Sequence, residues 1–133
     1  MNSKNCREYK LSKNRYKELY YFCQQYSEWK DMLKCSNHTV KSVVLSGMPG
    51  SHSFKDQTSE LAEKRVGWQE KIDLVEATAE EADPILKNFI IKAVTNDGVT
   101  YTYLSQRMEI PCGKNMYYEK RRKFYWLLDK KLK

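Results

Sequence analysis

The chain has 133 residues, 41% of them hydrophobic and 31% charged, and a formal net charge of +7. That is enough chain to bury a core in one domain, or in a small domain with a helical extension. The balance excludes a disordered polymer, and no apolar run approaches the roughly 20 residues that a membrane-spanning helix needs.

Glycine and proline are scarce, at 5 and 3, with long Lys/Glu/Leu-rich stretches between them, so the expected fold is mainly α. The N-terminal "MNSKNCREYKLSKNRYKE" carries no apolar block behind its charges, so no secretory signal is expected and an intracellular location is. Charge is uneven. Residues 1–45 carry nine Lys/Arg against four Asp/Glu, residues 54–84 four against nine, and residues 114–133 eight against two. Basic ends can seek phosphate, which an acidic middle repels.

The first helix is expected from Leu11 to Leu33. Tyr16, Leu19, Tyr20, Cys23 and Tyr26 recur at spacings of three and four, and Ser12 is placed to cap the start. Residues 34–55 break the pattern and read as a long loop, with "VKSVVL" as a possible short strand. "GMPGS" reads as a linker: no Lys-Ser/Thr follows its second glycine, so it lacks the groups that would reach phosphate and metal. Cys35, His38 and His52 match no common zinc spacing, and no metal or other cofactor is expected.

A second long helix is expected from Thr58 to Glu81, capped by Asp56 or Thr58. Leu61, Trp68, Ile72, Val75 and Ala79 follow a heptad seam, suited to packing on the first helix or to a short coiled coil between two copies. Gly67 within it suggests close approach by another helix. "EADP" ends this segment, and "PILKNFIIKAVTNDG" follows as a third helix closed by Asn96-Asp97-Gly98.

The last residues are the most specific. Thr100 or Thr102 can cap a short helix "YTYLSQRM", with Tyr103, Leu104 and Met108 facing inward. "EIPCG" stops it, and Lys114 or Asn115 starts a longer helix on which Tyr117, Arg121, Phe124, Tyr125 and Leu128 share a side. Short helix, tight turn and longer basic helix is the layout of a helix-turn-helix, whose second helix enters the major groove of DNA. Cations there release condensed counterions, Asn115 can pair with adenine, Arg121 and Arg122 with guanine, and tyrosines can donate to phosphate.

The chain resembles the RinA/ArpU-like phage transcriptional regulators of Gram-positive bacteria. The likeness rests on "YKELYYFCQQYSEWKDML", the middle stretch "SGMPGSHSFKDQTSE", the acidic "EKIDLVEATAEEADP" and the ending "YYEKRRKFYWLLDKKL". It implies a protein that switches on late phage genes in the cytoplasm of the host cell. It also implies a DNA-binding surface on Asn115, Tyr117, Tyr118, Lys120, Arg121 and Arg122, and Lys114 at the helix start is expected to join them. The C-terminal domain of that group looks like a sigma-factor region with an "EIA" step, and this chain reads "TYLSQRM" there.

The expected architecture is therefore antiparallel long helices followed by a sigma-region-like helix-turn-helix bundle. Its segments are an N-terminal helix and loop over 1–55, a long acidic helix over 56–83 and the DNA-binding domain over 84–133. The expected partner is double-stranded DNA, bound by a homo-oligomer. Two alternatives stand beside it: an effector that docks on a host protein such as RNA polymerase or a nuclease, and the DNA-recognition small subunit of a packaging terminase. Catalysis is not expected. Both histidines lie in the expected loop, and the acidic pairs read as solvated helix faces.

Overall fold

Ser12 sets where regular structure begins. Its hydroxyl accepts a hydrogen bond from the Arg15 amide at 3.2 Å, satisfying one of the free donors of a helix start, and α1 follows over Lys13–Gln24. The computed structural model describes residues 9–45 and 52–133, with side chains described at 9–36 and 59–133. The described residues are mainly helical and hold no strand. After α1 come α2 (Tyr26–Leu45), α3 (His52–Ala82), α4 (Lys87–Thr95), α5 (Tyr101–Met108) and α6 (Lys114–Lys131). Among the described residues, no helix is long and apolar enough to cross a membrane.

The elements differ from the sequence expectation at several places. The helix expected over Leu11–Leu33 is two helices, because the chain tightens at Gln25, whose amide reaches the Phe22 carbonyl at 3.2 Å. The expected loop over 34–55 is largely helical: α2 runs on through "VKSVVL" to Leu45, and α3 starts at His52. No glycine or proline interrupts Cys35–Leu45, and Thr and Val each cost a helix only a fraction of a kcal/mol, roughly 0.5 relative to Ala. Asp56 and Thr58 consequently lie inside α3 rather than capping it. A β-carbon at Gly67 would meet nothing within 4 Å, so the expected close approach is absent. The "GMPGS" linker, Cys6 and the side chains of His38 and His52 lie outside the described residues.

The chain divides into two compact units, one of Tyr26–Asp73 and one of residues 1–25 with Leu74–Lys133. They cut across the segments 1–55, 56–83 and 84–133, because the first 25 residues belong with the C-terminal ones. In the Tyr26–Asp73 unit, Tyr26, Trp29 and Ile72 are buried. The Lys30 ammonium lies 4.5 Å from the centre of the Tyr26 ring, and that of Lys71 lies 5.7 Å from Trp29.

In the other unit α1, α4 and α6 pack against one another. Their core holds Leu19 and Cys23 from α1, Ile90 and Val94 from α4, and Tyr117, Phe124, Tyr125 and Leu128 from α6. The end of α3 adds Val75, Thr78 and Ala79, and α5 adds Leu104. Thr78 stays polar at no loss, since its hydroxyl donates to the Leu74 carbonyl at 2.6 Å. Polar contacts then fix the packing. Gln24 donates to the Val94 carbonyl at 3.0 Å. The Tyr20 hydroxyl donates to the Asp97 carboxylate, which pushes the phenol up to about 12.

Helix α4 begins later than the proline suggests. Asp83 Oδ1 accepts from the Ile85 and Leu86 amides at 2.9 and 3.2 Å, shaping a turn over 84–86 before Lys87.

Candidate nucleic-acid interface

The turn before α6 is built from local chemistry. The Thr100 hydroxyl accepts from the Tyr103 amide at 3.2 Å and opens α5. Glu109 ends it in the left-handed region at φ 53, and the Ile110 amide then reaches back to the Leu104 carbonyl at 3.1 Å. Within "EIPCG" the stop falls on the glutamate rather than on the proline and glycine, because Ile110 is buried and anchors the turn. The Tyr101 hydroxyl donates to the Cys112 carbonyl at 2.8 Å and holds "IPCG" against α5.

Gly113 precedes α6 in extended backbone, with no side-chain cap and no acidic residue in the first turn. The helix therefore starts with an uncompensated positive end. Lys114 and Asn115, two of the expected site residues, are exposed there.

Tyr117 is a correction. It is 0% exposed, its ring 5.9 Å from Tyr101 and 5.0 Å from Tyr118, and so it belongs to the core and not to a DNA-binding surface. The cause is spacing: at i, i+7 and i+11 it shares the inward face with Phe124 and Leu128. Its hydroxyl has no hydrogen-bond partner, and burial pushes the phenol up. On α5, Leu104 faces inward as expected, whereas Tyr103 is exposed.

The cations of α6 and the tail sort into two groups. Lys120 is drawn to Asp83 Oδ2 at 4.0 Å, Lys131 to Glu81 at 3.0 Å and Lys133 to Asp129 at 3.3 Å. The Lys130 ammonium sits 3.5 Å from the centre of the Trp126 ring. These charges are committed inside the protein, so the C-terminal lysines are more than a solvated tail. Among the described residues, no carboxylate pairs with Lys114, Arg121, Arg122 or Lys123. The cations of the helix that meet no carboxylate and do not lie on the Trp126 ring thus stand in its first turn, at Lys114, and at its middle, at Arg121–Lys123.

Arg121 lies with its guanidinium carbon 4.8 Å from the Tyr118 ring centre and 5.7 Å from that of Tyr117, a cation–π arrangement that fixes the long side chain. Arg121 and Arg122 both line a cleft of about 420 Å³. Its other cations are Lys10 and Lys13, and its rings are Tyr9, Tyr16 and Tyr125. The Arg122 Nε is buried and has no hydrogen-bond partner among the described residues. Among the described residues, no carboxylate lines the cleft. Sequence reasoning picked the two arginines and missed Lys10 and Lys13; the only sign was the excess of positive charge near the N-terminus. Tyr16 and Tyr125 were read as apolar stripes, which they are, and their rings also meet at 4.9 Å beside the cleft.

Guanidinium groups match the oxygen geometry of phosphate and keep their charge at any physiological pH, so this surface is suited to anions. No family model, curated protein or solved structure matches the chain.

Proposed function

We propose that the chain is a sequence-specific, double-stranded DNA-binding transcriptional regulator of the RinA/ArpU-like phage group, acting as a homo-oligomer in the host cytoplasm without catalysing a reaction. The observation that carries this is the sorting of charge along α6 and the tail: Lys120, Lys131 and Lys133 meet carboxylates and Lys130 lies on the Trp126 ring, while among the described residues no carboxylate meets Lys114, Arg121, Arg122 or Lys123. A short helix and a tight turn present the exposed first turn of α6, the part of a second helix that meets base edges in a major groove. In this reading Asn115 reads an adenine edge and Lys114 a phosphate or guanine. Tyr118, Arg121 and Arg122 follow on the same side at helical spacing.

The test is a fluorescence-anisotropy titration with duplex from the gene's own neighbourhood beside scrambled duplex, over a salt series. Wild type should prefer the native fragment and weaken steeply with salt. Lys114→Ala should lower the salt slope by about one, and Asn115→Ala should relax the preference between the two duplexes. Equal binding to both duplexes, or none, would refute the reading.

A second reading, docking on a host protein such as RNA polymerase, is favoured by the apolar side chains of Tyr21 and Ile85, which are 65% and 77% exposed. One stoichiometric host partner together with no DNA affinity would select it.

A further inference from the structure

We infer that the cleft between Tyr9–Tyr16 and α6 is a binding site for the phosphate of a nucleotide. The volume of about 420 Å³ falls in the range of roughly 300–1,000 Å³ typical of small-ligand sites. Lys10, Lys13, Arg121 and Arg122 line it, with no carboxylate in the lining among the described residues. Four like charges gathered without a counter-charge repel one another, and an anion among them relieves that repulsion. The Arg122 Nε has no acceptor among the described residues, which is rare for a buried donor. The same lining excludes a divalent cation, which needs oxygen ligands and negative charge.

The aromatic residues narrow the anion to one with a flat ring attached. Tyr9 and Tyr16 are half-buried at the cleft, and each is steadied by an edge-on neighbour, Trp126 at 5.4 Å and Tyr125 at 4.9 Å. Fixed tyrosine rings beside arginine and lysine are what a nucleotide uses, base on ring and phosphate on cation. The amino end of α1, at Lys13, adds positive potential at the rim. The nucleotide is either free or part of a nucleic-acid strand, since the phosphate chemistry is shared. The inference does not depend on duplex being held at Lys114 and Asn115.

The experiment is a titration of the full ¹⁵N-labelled chain followed by NMR. The ligands are a nucleoside 5′-monophosphate, the matching nucleoside, and a short 5′-phosphorylated single strand. Lys13→Glu is the variant: the residue is exposed, and a carboxylate at the first position of a helix suits its dipole, so the fold is retained. The phosphate-bearing ligands should shift the resonances of Tyr16 and Arg122, with affinity about tenfold or more above the nucleoside, as charge-assisted hydrogen bonds imply. Lys13→Glu should lose a similar factor. Binding of the mononucleotide identifies a free ligand, and binding of the strand alone identifies a nucleic-acid source; both support the site. Equal affinity for nucleotide and nucleoside, no shift at the cleft with any ligand, or unchanged affinity in Lys13→Glu would overturn it.

Discussion

Arg15 Nε donates to Asp129 Oδ1 at 2.6 Å, closing the ends of the chain on each other across 114 residues. Asp129 is buried although it stands near the end of α6, because Arg15 and Lys133 take its two carboxylate oxygens. The hydrogen bond from Arg15, with that from Lys133, holds the Asp129 carboxyl below the ordinary aspartate value. A depressed carboxylate stabilises the fold above its unfolded pKa, and that stability is lost as pH falls through the lower folded value. Wild type should therefore lose part of its stability below about pH 4, whereas Asp129→Asn should show a flatter acid limb and a loss of about 1 kcal/mol at neutral pH. The figure is modest because the Arg15 side chain is 29% exposed and solvent screens the pair. Urea unfolding across a pH series measures both.

The inward face of α6 makes a sharper prediction. Phe124 is 0% exposed, so Phe124→Ala should cost about 3–5 kcal/mol, a large share of the stability of a small domain. Tyr117→Phe should cost little, since its buried hydroxyl makes no well-formed hydrogen bond and has only the nearby Arg121 guanidinium to interact with. It should also leave DNA affinity unchanged, because the ring is in the core. Calorimetry and the anisotropy assay read the two effects separately.

Two glycines should respond with opposite signs. Gly67 lies inside α3 with open space where a methyl group would go, so Gly67→Ala should raise stability by about 1 kcal/mol through helix propensity. Gly98 sits at φ 80, a conformation that L side chains avoid, so Gly98→Ala should lower stability by about 1 kcal/mol despite the same open space. Paired thermal melts decide it.

Thiol chemistry reports the core. Burial pushes the Cys23 thiol up to about 12, and its side chain is inaccessible, whereas Cys35 is exposed. Maleimide at neutral pH should modify Cys35 in the native protein and Cys23 only after unfolding. Cys112, half-buried and also pushed up by burial, should react more slowly than Cys35. Peptide mapping by mass spectrometry distinguishes the sites.

Sequence alone determined whatever is decided within a few residues. The mainly helical class, the caps at Ser12 and Thr100, and the inward face of Phe124, Tyr125 and Leu128 follow from local hydrogen bonding and helical periodicity. Local signals misled where they were weak: at Gln25, where one apolar stripe spans two helices, and over 34–45, where polar and β-branched residues read as a loop although the helix continues. Only the tertiary structure decided which charges remain available. Lys131 meets a carboxylate 50 residues away and Arg15 one 114 residues away, while Arg121 and Arg122 join Lys10 and Lys13 in a cleft without any among the described residues. A charge is neutralised by what folding brings within a few ångströms of it, and that distance is set by packing rather than by position along the chain.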